Sequence, residues 1–164
     1  MKQELDEALC AKYPKIFVNR HGDMKETLMC WGFECGDGWY NIINQLCANI
    51  QHHIDWSVKN NTWDLEWNKE HPDELREVRE VVSQVVAVQI KEKFGTLRFY
   101  YDGGDDVISG MTRMAESMSG VTCEECGNPG KNRGGGWVRT LCDHHEQAYQ
   151  ARQEQYAKDN GLEL

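Results

Sequence analysis

Four residues near the carboxyl terminus have the types and spacing of a metal site. Cys123 and Cys126 are separated by two residues, Cys142 and His145 are separated in the same way, and fifteen residues lie between the pairs. Ligands two residues apart can reach one metal from a single tight turn. Three thiolates and an imidazole are typical of tetrahedral Zn²⁺, and four protein ligands leave no position for a reactive water. The sequence therefore predicts one structural Zn²⁺ per chain, with His144 as the rival of His145 for the fourth position.

Three further cysteines could belong to a second metal site. Cys30, Cys35 and Cys47 could join the His52–His53 pair, but their spacings match no common zinc knuckle. Cys47 falls on or beside the apolar stripe of a predicted helix, which favours packing in the core.

Residues 85–101 alternate apolar and polar side chains as a β-hairpin does. If Phe94 and Gly95 form a two-residue turn, Lys91 stands directly opposite Arg98. This register also separates an apolar face from a polar one, which supports it, because a bulge or an odd loop would mix the faces. The predicted apolar face consists of Val88, Ile90, Leu97, Phe99 and Tyr101.

The polar face of this hairpin is the candidate ligand site, with Lys91, Lys93, Arg98 and Tyr100. Like charges directly opposite each other destabilise a sheet. Nearby acidic residues, Glu92 or those in 73–80, could neutralise them and leave an ordinary solvated face. Alternatively, cations beside a Tyr ring suit a phosphate joined to a stacking base. On that second interpretation the face binds an anionic small molecule, such as a signalling nucleotide.

Two other groups of residues have both a structural and a functional interpretation. Lys131, Arg133 and Arg139 flank the glycines 134–136 and could hold a phosphate or nucleic acid, or belong to a flexible turn. Three tryptophans could line an aromatic ligand site, although core or interface packing is the favoured interpretation. These are Trp56, Trp63 and Trp67.

Composition restricts the class of protein. The chain has 164 residues, a length that fits one domain with its own core. The formal net charge of −9 argues against binding to duplex nucleic acid, which needs a basic surface. No apolar run approaches the length of a membrane span, and the polar start is unlike a signal peptide. Seven cysteines, an odd number, with a metal-like group among them favour a reducing cytoplasm.

The elements that position these residues predict an α+β fold. Apolar periodicity indicates a long helix over about 38–58, capped by Asp37, and a helix over 106–119 that Asp105 or Asp106 caps and Gly120 ends. We expect helices packed on a small antiparallel sheet, with a body over 1–120 and a zinc subdomain over 121–164. Further helices are predicted over 2–12, 72–82 and 143–158.

The carboxyl-terminal segment, TCEECGNPGKNRGGGWVRTLCDHH, resembles a treble-clef zinc finger. It has a Cys-x-x-Cys-Gly knuckle, a Gly-rich hairpin and a second ligand pair that opens a helix. The resemblance covers about a quarter of the chain and implies Cys123, Cys126, Cys142 and His145 as ligands. Zinc would then replace a core that such a short segment cannot build.

Four segments of the sequence resemble segments of small uncharacterised proteins of tailed phages and prophages. They are CWGFECGDGWY, KEKFGTLRFYYDGG, AESMSGVTCEECGNPG and WVRTLCDHH. The resemblance covers most of the chain and implies no specific activity or site residues. It favours a phage accessory protein, for which interference with host defence is a frequent role.

Catalytic motifs are missing from the sequence. No histidine lies between His71 and His144, so the arrangement of His-metal nucleases is not present. The chain also lacks a P-loop, a dinucleotide-binding glycine pattern, Gly-x-Ser-x-Gly and His-Glu-x-x-His. An enzyme is therefore not the favoured class.

Three function classes fit these observations. The first is a phage-type binding protein of the host cytoplasm that captures an anionic small molecule or a host defence protein. The second is a zinc-finger regulator that binds nucleic acid, supported by the basic residues of 131–139 and weakened by the net charge. The third is a nucleotide hydrolase. A homo-oligomer is compatible with each.

Overall fold

The computed structural model describes residues 1–134 and 137–161. Short 3₁₀ turns at Leu28–Trp31 and Asp37–Trp39 precede the first strand and the longest helix, respectively. In chain order the elements are α1 (Gln3–Lys12), β1 (Phe33–Glu34), α2 (Tyr40–Glu70), β2 (Val86–Lys93), β3 (Thr96–Asp102), α3 (Asp106–Ser119), β4 (Lys131–Arg133), β5 (Arg139–Leu141) and α4 (Asp143–Asn160). This is an α+β fold, as the sequence predicts.

The main sheet has the strand order β1-β2-β3. It is mixed, because β1 runs parallel to β2 while β2 and β3 are antiparallel. The prediction of a purely antiparallel sheet is therefore wrong. A strand of two residues is too short to show alternation, and a parallel neighbour requires a long connection, which here contains α2.

The predicted hairpin register is confirmed by β2 and β3, in which Lys91 pairs with Arg98. A bulge between Ala87 and Gln89 corrects one detail, because Ala87 takes the buried position expected of Val88. A bulge inserts one residue and reverses the faces beyond it. The buried face of the hairpin belongs to the same core as α1, α2 and α3.

The outer edge of the sheet is β3, and α3 covers part of it. Ser119 Oγ accepts a hydrogen bond of 2.8 Å from the backbone N–H of Leu97, and Glu116 Oε1 accepts one of 3.0 Å from that of Phe99. An edge strand with unpaired N–H groups invites pairing with another chain. These two side chains therefore protect the edge. Asp105 caps α3 through the N–H of Ile108, as predicted.

Helix α2 is longer than predicted, extending to Glu70 instead of ending near residue 58. Residues 71–85 contain no helix, so the predicted helix over 72–82 is wrong. This segment lies along the end of α2, where Arg79 forms a two-bond ion pair with Asp64, at 2.7 and 2.8 Å. Arg76 lies 3.5 Å from the ring centroid of Trp67. Contacts with α2 replace the hydrogen bonds that a separate helix would have made.

The tryptophans of α2 do not fill the core. Trp56 and Trp63 are each more than half exposed, so the favoured interpretation of core packing is wrong for both. The predicted cap of α2 is also wrong, because the carboxylate of Asp37 accepts a hydrogen bond of 2.7 Å from the backbone of Lys2 in front of α1. Among the described residues, no helix is long and apolar enough to cross a membrane.

Candidate metal centre

The predicted ligands meet at one point. One ligand atom from each of Cys123, Cys126, Cys142 and His145 lies within 4.8 Å of the other three. The Sγ atoms of Cys126 and Cys142 are 3.9 Å apart, and His145 Nδ1 lies 3.6 Å from Cys123 Sγ and 3.2 Å from Cys142 Sγ. Ideal tetrahedral zinc would separate two sulfurs by about 3.8 Å and a sulfur from a nitrogen by about 3.6 Å. The group can therefore hold a metal ion without rearranging its backbone.

The rival histidine is not part of this group. His144 is not among the residues whose ligand atoms meet, and its ring lies edge-on to that of His145, with centroids 5.1 Å apart. Two residues between Cys142 and His145 bring both side chains to one side of the first turn of a helix. The structure thus selects His145 between the two.

The second ligand pair is positioned by the start of α4. Cys142 is the residue in front of the helix, where backbone N–H groups point outward without partners. A hydrogen bond from the backbone N–H of His145, together with those from neighbouring side chains, lowers the pKa of the Cys142 thiol to about 7. A thiol with a lowered pKa is more readily the thiolate that a metal requires.

The first ligand pair is positioned by a tight knuckle. The N–H of Gly127 donates to the carbonyl of Cys123 at 2.9 Å, and the N–H of Cys123 donates to the carbonyl of Asn128 at 2.7 Å. Gly127 has a φ of 76°, in the left-handed region that favours glycine. The chain can therefore reverse its direction directly after Cys126, which closes the knuckle.

This knuckle is packed directly on the turn in front of α2. The N–H of Gly38 donates to the carbonyl of Glu124 at 2.7 Å, and the N–H of Gly36 donates to the carboxylate of Glu124 at 3.0 Å. The indole of Trp39, fully buried, donates to the carbonyl of Thr122 at 2.9 Å. Burial raises the pKa of the Glu124 carboxyl, and the bond from Gly36 partly offsets that shift. The segment that carries the four candidate ligands, 121–145 (the metal segment), is thus joined to the body, 1–120, by buried polar contacts.

A second connection joins the metal segment to the main hairpin. Thr140 in β5 is fully buried, and its hydroxyl donates to the carbonyl of Gly95 at 2.6 Å. Its backbone carbonyl accepts from the N–H of Glu124 at 2.9 Å. One residue therefore links the hairpin turn, β5 and the knuckle.

Each basic residue of the β4–β5 hairpin contacts α4. Asp143 accepts from Lys131 at 3.2 Å and from Arg133 at 2.6 Å. The guanidinium of Arg139 lies 4.6 Å from the ring centroid of Tyr149 in α4. Gly134 has open space around it, while Gly135 and Gly136 lie outside the described residues. The contacts seen at these three cations hold the hairpin against α4.

The other cysteines do not assemble a second group. Within residues 1–134 and 137–161, the only cluster of three or more potential ligands is the one at Cys123. Cys47 is fully buried in the core, as the favoured interpretation predicts, and burial raises the pKa of its thiol. Burial likewise raises the pKa of Cys35 to about 12. Both thiols therefore stay protonated at neutral pH.

The candidate ligand residues share the exposed face of the main sheet. Lys91 pairs with Arg98 across the hairpin, and its ammonium lies 5.6 Å from the ring centroid of Tyr100, which is 42% exposed. Among the described residues, no carboxylate lies within 4.0 Å of the charged nitrogens of Lys91, Lys93 or Arg98. The salt-bridged interpretation of these cations is therefore not what the structure contains.

Glu34 is the nearest acidic neighbour in the register of this face. It pairs with Lys91 across β1 and β2, and its carboxylate accepts from Gln89 at 3.0 Å. Glu92 instead accepts from the N–H of Gly95 at 2.6 Å. Asp102 shares this face at the far end of β3, so two carboxylates and three cations leave it net positive on a protein whose net charge is −9.

Sequence reasoning missed the part that Trp39 and the glycines around Asp37 play at the metal centre. From the sequence, the Gly36-Asp37-Gly38 turn suggests an anion nest or, as the favoured interpretation, a helix cap provided by Asp37. A Cβ at Gly38 would lie 2.7 Å from the backbone nitrogen of Cys126, so the knuckle can approach only a glycine. Two glycines flanking one residue are the signal that could have suggested a close backbone approach.

Comparison with known proteins leaves the chain without an assigned relative: no protein-family model, curated protein or solved structure matches it.

Proposed function

We propose that this protein is a zinc-stabilised binding protein that captures an anionic small molecule on the exposed face of its main sheet. The observation that carries the proposal is the group of three cations, Lys91, Lys93 and Arg98, without a carboxylate within 4.0 Å in the described residues. Two of them oppose each other directly, an arrangement that costs stability unless an anion lies between them. Tyr100 adds an aromatic surface beside the charges.

The metal in this proposal is Zn²⁺, held by Cys123, Cys126, Cys142 and His145. Three soft thiolates and one imidazole suit zinc better than magnesium or calcium, which prefer oxygen ligands. With four protein ligands the zinc supplies folding energy and no nucleophile. A knuckle, the short strands β4 and β5, and a ligand pair opening α4 support the treble-clef resemblance.

Binding of nucleic acid by the zinc hairpin is the weaker alternative. The cations it needs, Lys131 and Arg133, are paired with Asp143, and Arg139 lies over Tyr149. Phosphate contacts would have to break these interactions. The phage origin, the host cytoplasm as the site of action and the role against host defence belong to the same proposal and rest on the sequence resemblance alone.

The test is calorimetric titration of the zinc-loaded protein with pyrophosphate and with nucleoside triphosphates. Arg98→Ala should weaken binding by the loss of a charge-assisted hydrogen bond, about 1.5–3 kcal/mol, and leave zinc content unchanged. The same loss is expected for Lys91→Gln. Lys131→Gln, at the engaged hairpin, is the matched control and should bind as the wild type does. Equal binding by all of these variants would refute the proposal.

A further inference from the structure

The turn of the main hairpin has an unusual backbone. Phe94 and Gly95 both have positive φ, 55° and 76°, which is the conformation of a two-residue hairpin turn that favours Asn-Gly. A bulky residue in this region is a genuine outlier. The side chain of Phe94 is 69% exposed, so burial within the chain does not repay this strain. Strained residues of this kind cluster at ligand sites.

A cleft opens beside this turn. It has a volume of about 460 Å³ and is lined by Glu92, Lys93, Phe94, Trp137 and Val138. Volumes of this order are typical of small-molecule sites. Trp137 is 67% exposed, so the cleft has two large aromatic side chains that the fold itself leaves uncovered.

The base of the cleft is held in place by the metal segment. A Cβ at Gly95 would lie 3.2 Å from the side chain of Val138, which shows how closely the turn rests on the chain entering β5. The hydrogen bond between Thr140 and the Gly95 carbonyl fixes this approach. The relative position of Phe94 and Trp137 is therefore set by packing and not by two independent loops.

Charge and hydrogen-bonding groups lie at the same place. The ammonium of Lys93 is 5.4 Å from the ring centroid of Phe94 and has no carboxylate within 4.0 Å in the described part of the chain. Lys91 follows about 7 Å along the strand, two residues away. Glu92 uses one carboxylate oxygen for the Gly95 N–H, which leaves the other available to accept from a ligand.

We infer that this cleft binds the planar ring of a mononucleotide, with the base between Phe94 and Trp137 and its phosphate toward Lys93 and Lys91. Aromatic side chains stack on any base, and the adjacent cations bind its phosphate. This inference rests on the proposed function, because the cleft shares Lys93 with the cationic face of Lys91, Lys93 and Arg98. It adds the class of ligand and the two aromatic residues Phe94 and Trp137. Strain at Phe94 is the cost of presenting its ring to the ligand.

The experiment uses the zinc-loaded full chain and titrates four kinds of probe: the four ribonucleoside 5′-monophosphates, the corresponding nucleosides, inorganic phosphate and a thymidylate oligomer. Variants are Phe94→Asn, Trp137→Ala and Arg98→Ala, with Tyr156→Ala as the control at an exposed aromatic outside the cleft. Asn is the residue that the turn favours, so Phe94→Asn is expected to fold and to melt at a higher temperature. Reduced binding by a more stable protein cannot be attributed to unfolding.

The expected result is that at least one monophosphate binds more tightly than its nucleoside and than phosphate. Phe94→Asn and Trp137→Ala should each weaken that binding roughly tenfold, the effect of losing one stacking partner. Neither substitution should change the binding of phosphate, and Tyr156→Ala should change nothing.

The other outcomes separate this inference from the proposed function. If phosphate and monophosphates bind with equal affinity, and the Phe94 and Trp137 variants bind as the wild type does, the nucleotide site in the cleft is refuted. The proposal that the cationic face binds an anion then stands. If monophosphates bind more tightly than nucleosides and lose affinity in Phe94→Asn, while Arg98→Ala has no effect on any probe, the cleft stands with Lys93 as its cation and the wider cationic face is refuted. No binding of any probe refutes both. Binding of a thymidylate oligomer that is a hundredfold tighter than that of any monophosphate would refute a mononucleotide ligand.

Discussion

Replacing Gly38 by Ala tests whether the metal centre and the body fold as one unit. The added Cβ would lie 2.7 Å from the backbone nitrogen of Cys126 and closer still to the carbonyl oxygen of Cys123 and the nitrogen of Gly127. All three are backbone atoms of the knuckle, so no flexible side chain can move aside. The knuckle must shift away, and with it the hydrogen bond of 2.7 Å between Gly38 and Glu124.

The size of the effect follows from these two losses. Overpacking costs about 1–3 kcal/mol, and the lost hydrogen bond costs about 0.5–1.5 kcal/mol. A total of about 1.5–4.5 kcal/mol is a large fraction of the roughly 5–15 kcal/mol that stabilises a typical domain. For a chain of this length, the loss corresponds to a fall in Tm of roughly 3–18 °C.

The assay is thermal unfolding of the zinc-loaded protein, followed by near-ultraviolet circular dichroism, with release of zinc to a chromogenic chelator measured in parallel. Gly38→Ala should lower Tm and accelerate zinc release together. Gly110→Ala is the matched control, because nothing lies within 4 Å of a Cβ at this position in α3, and it should stabilise by about 1 kcal/mol. A Gly38→Ala protein that melts within about 2 °C of the wild type and releases zinc at the same rate would refute the reasoning.

Four further predictions concern single positions. Purified protein should contain about one equivalent of zinc, and Cys126→Ser should lose it and melt earlier; full zinc content with unchanged melting would exclude these ligands. Phe94→Asn should raise stability by about 1 kcal/mol by relieving the strained turn, and a lower Tm would contradict this. Lys91→Gln should leave the ligand-free protein as stable as before or slightly more so, since it removes a like-charge pair; clear destabilisation would show that Lys91 has a partner. Hydrogen bonds from Arg79 lower the pKa of Asp64 to about 2, so this carboxylate stabilises the fold above about pH 4 and loses that effect as the pH falls toward 2. Asp64→Asn should therefore lower Tm at pH 7, with a difference from wild type that shrinks on acidification, whereas a constant difference would count against the ion pair.

Arg98 is less suited than Lys91 to a stability test of the like-charge repulsion. Its guanidinium donates to the hydroxyl of Thr96 at 2.6 Å and to the carbonyl of Leu97 at 2.8 Å. The change in stability of an Arg98 variant therefore has two opposing contributions. The variant loses two hydrogen bonds, which lowers stability, and it removes the repulsion from Lys91, which raises stability. Lys91→Gln loses one cation–π contact, with the Tyr100 ring, in place of those two hydrogen bonds, so its stability reports the repulsion with a smaller correction. Arg98→Ala remains the better variant for measuring ligand binding.

The hairpin could be predicted because its information is local. Alternation along β2 and β3 and a two-residue turn determine the pairing of Lys91 with Arg98. The bulge beside Val88 could not be predicted, because Ala87 and Val88 are both apolar and either fits a buried position. Which of the two side chains is buried depends on the space that the surrounding core residues leave at this position.

The region after α2 shows the opposite case. Residues 72–82 have a helical pattern, yet Arg76 and Arg79 bind side chains of α2 instead. Local propensity is a weak preference that tertiary contacts override. Since Asp64 and Trp67 lie on another element, nothing within the segment itself indicates these partners.

The candidate metal ligands could be selected from the sequence alone, because two intervening residues within one turn set each pair. Only the tertiary structure excludes His144 from the group and shows where the knuckle rests and what lies beside Phe94. The contact of Gly38 with the Cys123 knuckle and the cleft between Phe94 and Trp137 both join residues far apart in the chain. Such contacts depend on how buried surfaces fit together, and periodicity along one segment carries no information about that fit.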